Sequence, residues 1–359
     1  MVTRLLVGTE KGLFMFDSDE SRRQWRLASE EPAHKGWQIY ALYVDPRDQV
    51  LYASLSNAFF GPHLQRSRDG GDSWEPVEAG PAFAKGDARE LKQIWSVVAG
   101  HAPGVLWAGV SPGALFRSDD GGDSWQLNEG LDAHPTRESW APGAGGLCLH
   151  TIVPDASDPK RIFVGISAVG IFRSDDGGQS WAIKNQGVSA VFEDEQRQHT
   201  EIFRCVHKFV QDPRDPNLLY QQNHIGVYRS NDAGDSWDRI ENGLPSEFGF
   251  PMVLNPHKPG TVFVIPQESS QFRAFPEGRM AVYRTRNGGA SWAPTEVGLA
   301  SPSYSGVLRN SMITDGAAET GIYFGTTGGE VYASIDDGER WERLPGSFPR
   351  IESLATLTR

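Results

Sequence analysis

Two short triplets in this chain have the composition and spacing of metal ligands: Cys148-Leu149-His150 and Cys205-Val206-His207. In an extended strand, residues two apart share a face, so each triplet would present a thiol and an imidazole together. Both triplets stand in apolar runs that occupy aligned positions in neighbouring repeats. At the aligned histidine position the other runs carry small residues: Ala41, Ser96, Pro251, Ser311 and Ser353. Thiolate and imidazole suit a soft or borderline cation. Zinc or another transition metal is therefore the cofactor that Cys148, His150, Cys205 and His207 suggest. The competing account is packing, because a buried cysteine behaves as a small hydrophobe.

Other groups suit a small organic ligand. His150, His207, Arg204, Arg309 and Trp95 are the candidates for lining a site. Trp37, Trp95 and Trp140 are tryptophans that the repeat described below does not account for. With Phe59, Phe60, Phe192, Phe248 and Tyr304 they would serve as stacking platforms for a sugar or another flat molecule. Carboxylates are plentiful in the same loops: Glu90, Glu138, Glu193, Asp194, Glu195, Glu201, Glu247 and Glu268. A glycosidase needs two carboxyl groups at a set separation, one of them protonated at working pH. Sequence does not measure separation, so no catalytic pair is assigned.

These residues have to be positioned by a scaffold, and the scaffold is legible as a repeat. The pattern S-x-D-x-G-x-S-W runs from Ser67 to Trp74, Ser118 to Trp125, Ser174 to Trp181 and Ser230 to Trp237. Thr285 to Trp292, with Asn287 in the aspartate slot, and Ser334 to Trp341 are weaker copies. The tryptophans are separated by 51, 56, 56, 55 and 49 residues, and a step of 49 back from Trp74 reaches Trp25. A period near fifty means one supersecondary unit copied along the chain. Asp69, Asp120, Asp176, Asp232, Asn287 and Asp336 sit where a turn needs a side-chain acceptor. Glycine follows where the turn needs positive φ, and Trp74, Trp125, Trp181, Trp237, Trp292 and Trp341 bring rings to be buried. The acidic loops resemble calcium ligands, but the distal bidentate glutamate of an EF-hand does not recur.

Each box is preceded by short β-branched and aromatic runs, such as Leu106-Trp107-Ala108-Gly109 and Leu115-Phe116-Arg117. Such runs between Gly, Pro and Asp clusters read as strands. Four strands per unit and seven units predict an all-β, seven-bladed β-propeller of four-stranded blades, a single domain over residues 1–359. The chain ends on a lone first strand, Ile351 to Leu357, and begins on a lone second strand, Leu5 to Val7. Pairing of the N- and C-terminal strands would close the ring. All boxes then lie on one rim. The long loops, and His34, His63, His134, His150, His199, His207 and His224, fall towards the other face, where binding sites on rigid scaffolds usually sit.

Composition narrows the classes. The formal charge is −12 and no basic stripe is visible, which argues against nucleic acid as a partner. No apolar run is long enough to span a bilayer. Two cysteines make no disulfide framework, and the first residues do not form a signal peptide, so a cytoplasmic location is expected.

The boxes resemble the Asp-box, or bacterial neuraminidase, repeat, and the resemblance covers nearly the whole chain. That repeat occurs in sialidases, xyloglucan-hydrolysing enzymes, sortilin-type receptors and photosystem II assembly factors. The chain is similar to cytoplasmic bacterial neuraminidase-repeat propellers. The resemblance implies the fold, with the box away from the active face. Sialidases carry an Arg-Ile-Pro segment near the N-terminus, and the corresponding strand here reads Arg4-Leu5-Leu6-Val7-Gly8. No sialidase catalytic residue is therefore carried over. Two readings follow. One is a small-molecule site, with glycosides the class the resemblance suggests. The other is a scaffold that binds a protein partner through the long loops.

Overall fold

Antiparallel strand meanders make up the computed structural model, which describes residues 2–190 and 201–358. Its described strands form five four-stranded sheets and one eight-stranded sheet. In the four-stranded sheets, neighbours in the chain are neighbours in space. The strands Gln93–Ala99, Leu106–Ser111, Ala114–Ser118 and Gln126–Leu127 form one such sheet. Cys148–Pro154, Ile162–Ser167, Gly170–Ser174 and Ala182–Ile183 form the next. Short local connections of this kind let each sheet build from one stretch of sequence. No described helix is long and apolar enough to cross a membrane.

The chain divides into two compact units. One comprises Tyr40–Leu219 and Ser230–Asp238; its core is built where successive sheets face each other, with Trp107, Leu115, Leu149, Val164 and Phe172 in one cluster. The other comprises Met1–Ile39, Tyr220–Arg229 and Arg239–Arg359, and holds the eight-stranded sheet and the sheet that begins with Gly249–Leu254. In the eight-stranded sheet the terminal strands meet. Thr3–Thr9 pairs antiparallel with Ile351–Thr358, Thr3 opposite Thr358 and Val7 opposite Leu354. Ile351, Leu354 and Leu357 are buried by that pairing.

The boxes are held by a shared set of hydrogen bonds, from which the last lacks only the second hydroxyl because Arg340 stands in its slot. In the second, the Ser118 hydroxyl donates to Asp120 Oδ1 at 2.7 Å and accepts the Gly122 amide at 2.9 Å. Asp120 then accepts the amide and hydroxyl of Ser124 at 2.9 and 2.6 Å. Gly122 has φ +87°, a conformation that side chains disfavour. Asn287 keeps the arrangement with a neutral amide: its oxygen accepts from Thr285 Oγ1 and the Ser291 amide, and its nitrogen donates to Ser291 Oγ. Both carboxylate oxygens of Asp120 thus serve the turn itself. Trp74 and Trp125 donate to the Gly71 and Gly122 carbonyls of their own turns, whereas three later indoles tie one sheet to the one before. Trp181 Nε1 donates to Asn128 Oδ1, Trp237 Nε1 to the Lys184 carbonyl, and Trp292 Nε1 to the Ile240 carbonyl.

Two outcomes test these assignments. Deleting residues 351–359 removes the partner of the N-terminal strand and should lower the melting temperature of the whole chain; an unchanged melt is incompatible with terminal pairing. The hydroxyl and then the amide of Ser124 hold Asp120 down to about 2. A carboxylate depressed in the folded state stabilises above its unfolded value near 4 and loses that contribution as pH falls towards 2. The melting-temperature gap between wild type and Asp120→Asn should therefore shrink on acidification from about pH 5 to about pH 2. A gap constant over that range contradicts the assignment.

Candidate functional site

The first strand of several sheets carries an irregularity at an equivalent place. Pairing shifts between Ile94 and Ser96, between Leu149 and Thr151, between Gly249 and Met252, and between Val307 and Met312. At the C-terminus, Ser353 pairs with Gly8 and Ile351 with Thr9, so Glu352 is passed over. Such bulges break the two-residue alternation and re-aim a side chain. The residues they hold include Trp95, His150, Phe250, Arg309 and Glu352. Three of the sequence candidates, Trp95, His150 and Arg309, stand in these bulges.

The bulge corrects the sequence alignment. Ser96 pairs with Gly109 and Thr151 pairs with Gly165, so Thr151 is the counterpart of Ser96. His150 is the counterpart of Trp95, one residue earlier than the spacing suggested. Its imidazole is fully engaged: Nε2 lies 3.0 Å from the Val206 carbonyl and Nδ1 lies 2.8 Å from Thr151 Oγ1. A carbonyl only accepts, so Nε2 carries the proton and Nδ1 receives the threonine hydroxyl. Both nitrogens of this buried ring serve the scaffold. Cys148, also buried, lies opposite Ser167 in the ladder. Neither cysteine is in a disulfide.

The second triplet is arranged differently. Cys205 and His207 flank Val206 at the start of the strand Val206–Asp212. Cys205 Sγ is 3.4 Å from Ser167 Oγ, and both residues are buried.

A second cluster gathers aromatic rings and arginines. His224 meets Phe248 edge-on at 5.2 Å between ring centroids, and Phe248 meets Phe250 in the same way at 5.3 Å. The guanidiniums of Arg273 and Arg309 lie 5.2 and 5.6 Å from the centroid of the Phe250 ring. Phe272 and Tyr304, both exposed, pair at 6.5 Å. Burial, and then the charge of Arg273, hold the His224 imidazole below its usual range, with Glu247 opposing. Arg273 stands in the loop between Val262–Pro266 and Val282–Thr285, and sequence reading passed over it.

The remaining candidates are dispersed. Arg204 donates to the carbonyls of Val188 and Ile202 and so fastens its own loop. Trp140 is packed in the core against Phe172, with Arg137 over its ring and Nε1 donating to Thr136 Oγ1. Trp95 is buried edge-on against Tyr40 at 4.6 Å. Trp37 is half-buried. His199, Phe192 and the charges of Glu193, Asp194, Glu195 and Arg197 lie outside the described residues. Glu352 is a buried carboxyl that sequence reading did not select, although a lone acid inside Ile351-Glu352-Ser353-Leu354 was a visible signal. Burial raises its pKa, opposed by Arg350 at 3.1 Å and by the Gln38 amide at 3.2 Å.

No protein-family profile matches the chain, and no curated protein does. Solved structures do. An ancestral GH74 enzyme superposes with a TM-score of 0.56 at 17% identity, over 89% of this chain and 38% of that one. This chain therefore spans well under half of that enzyme. YCF48 bound to D1 peptide gives a TM-score of 0.54 at 13% identity, over 89% of this chain and 85% of its own. These likenesses show a β-propeller fold. A putative 6-phosphogluconolactonase from Bacteroides fragilis NCTC 9343 gives 0.60 at 10% identity, over 99% and 98% of the two chains. At such identities the likeness concerns fold alone.

The scaffold role of His150 has a measurable consequence. His150→Ala removes two buried hydrogen bonds and leaves a cavity, so unfolding free energy should fall by roughly 2–4 kcal/mol. Denaturant titration reads this directly, and a stability within error of wild type would show the ring is dispensable to packing.

Proposed function

We propose that the protein is a seven-bladed propeller, a single domain over residues 1–359, that binds a small anionic molecule at the Phe250 cluster. The eight-stranded sheet counts as two blades in this reading, and the terminal pairing joins the ring. The observation that carries the ligand class is the convergence of Arg273 and Arg309 on one aromatic ring. Guanidiniums stacked on aromatic rings are suited to recognising carboxylate and phosphate groups, and the Arg273 Nε bond to the Ser270 carbonyl at 3.1 Å fixes one of them in place. The exposed Phe272 and Tyr304 rings add apolar surface that suits a sugar face. A glycoside bearing a carboxylate or phosphate satisfies both features. The chain as a whole carries a formal charge of −12, so this local pair of cations stands against the general trend. The GH74 likeness makes glycoside hydrolysis the first reaction to assay.

Calorimetric titration with glucuronate, a sugar phosphate and uncharged glucose tests the reading. The anions should bind and glucose should not. Arg273→Ala and Arg309→Ala should each weaken anion binding by about tenfold, the value of one charged hydrogen bond of about 1.5 kcal/mol. Equal binding of glucose, or affinities untouched by both substitutions, would remove it.

The second reading, a scaffold for a protein partner, is favoured by Phe59 and Phe60. These rings stand 89% and 69% exposed at the hairpin tip between Leu51–Asn57 and Gly61–Ser67. Adjacent exposed aromatics on a rigid hairpin are suited to a protein interface.

A further inference from the structure

We infer that Glu352 takes up a proton when an oxyanion binds at the Phe250 cluster, and that Oε2 donates it to the bound carboxylate or phosphate as a hydrogen bond. The inference rests on the anion reading above and adds a proton to it. The placement of three bulges carries it. Phe250, Arg309 and Glu352 stand at equivalent places in Gly249–Leu254, Val307–Thr314 and Ile351–Thr358. The middle strand packs against both of the others, and all three belong to one compact unit. Asn310 bridges Ser353 in parallel register, so Arg309 and Glu352 each precede a bridged residue, side by side on adjoining strands. Neighbouring strands stand roughly 4.8 Å apart. The Arg309 guanidinium lies 5.6 Å from the centroid of the Phe250 ring. An anion held there has Glu352 on the next strand.

The surroundings of the carboxyl say which oxygen takes the proton. Glu352 is 5% exposed. Gln38 Nε2 donates to Oε1 at 3.2 Å, and Arg350 Nε lies 3.1 Å from the same oxygen. Among the described residues no hydrogen bond reaches Oε2. An oxygen that already receives two N–H donors is not the one to be protonated, so the proton falls on Oε2. The charged groups around the carboxyl oppose one another. Arg350, on the same strand's approach, is 43% exposed and lies 3.8 Å from Glu10 as well, so it does not serve Glu352 alone. Glu10 stands in the turn between Thr3–Thr9 and Gly12–Ser18, Gln38 is neutral, and Arg309 and Asn310 come from Val307–Thr314. Burial raises the pKa of Glu352 and Glu10 adds to that, while Arg350 and the Gln38 amide lower it.

A bound oxyanion changes this balance. Ionised, Glu352 repels the ligand; protonated, it loses the repulsion and becomes a donor. An O–H donated to an ionised oxygen makes a short hydrogen bond, stronger than one between neutral groups. Ligand and proton then favour each other by the same factor. Affinity is highest where Glu352 is already protonated and falls as pH rises through its ligand-free pKa. His224 also titrates near the cluster, through its contact with Phe248, and its protonation too would favour an anion.

Calorimetric titration of the full chain with glucuronate tests the link, because that carboxylate stays ionised from about pH 5 to about pH 8. Run in two buffers of different ionisation enthalpy, it should show uptake of up to about one proton per ligand. Affinity should fall by about tenfold across the range for each unit by which the ligand raises Glu352. Glu352→Gln should bind glucuronate without uptake, and His224→Gln should keep the uptake. The infrared difference spectrum of the wild type should gain a protonated-carboxyl stretch on binding, a readout that needs no variant. Without ligand, the stability of Glu352→Gln relative to wild type should grow as pH rises above about 4, since a carboxyl raised in the folded state costs stability once its unfolded form ionises. Glucuronate binding without uptake, uptake preserved in Glu352→Gln, no infrared change, or a stability difference that does not grow overturns the inference and leaves the anion site standing. Wild-type protein that binds no glucuronate anywhere in the range removes both.

Discussion

A close approach recurs in this fold between a glycine on the second strand of one sheet and a first strand packed against it. A Cβ added at Gly109 would lie 2.4 Å from the Leu149 carbonyl, and one at Gly8 would lie 2.9 Å from the Ile39 carbonyl. Only glycine permits strands to cross at that distance. Much else follows from this crowding. The first strands bulge where they cross, and the bulge frees a carbonyl that needs a donor. A serine supplies one: Ser54 Oγ to the Ile94 carbonyl and Ser311 Oγ to that of Ile351, and Ser353 Oγ donates likewise to the Ile39 carbonyl. His150 does the same for Val206 with an imidazole. Serine and histidine at these positions are thus solutions to one problem of backbone satisfaction.

Seen this way, the site and the scaffold share one device. The bulged residue is released from the alternation that assigns every other side chain to a sheet face. It can be Trp95, His150, Phe250, Arg309 or Glu352 without shifting the register of its strand. Chemistry can therefore differ from sheet to sheet while the ladder and the core stay alike. The aromatic and cationic cluster around Phe250 is assembled from two such bulges and a loop.

The box and the strand runs were legible because their hydrogen bonds are local. Ser118, Asp120, Gly122 and Ser124 satisfy one another within a single turn, and the same residue types recur at each copy. The four-strand order was legible for the same reason, whereas the pairing of the terminal strands, which is not local, was legible because a lone strand at each end left edges to be matched. The one-residue offset of His150 was not legible. A bulge leaves no mark in the periodicity of a strand only seven residues long, Cys148–Pro154. Arg273 was hidden in an insertion with no counterpart in the repeat.

The pairing of Thr3 with Thr358 bears on the order in which the chain acquires its structure. Each four-stranded sheet forms from contacts a few dozen residues apart, but this ladder closes a loop nearly as long as the chain. By the (3/2)RT ln n scaling, that closure costs roughly 5 kcal/mol of chain entropy. Contacts so distant in sequence are the slowest to be made. The terminal ladder is thus the pairing in this chain that carries a loop-closure cost far above that of any hairpin within a sheet.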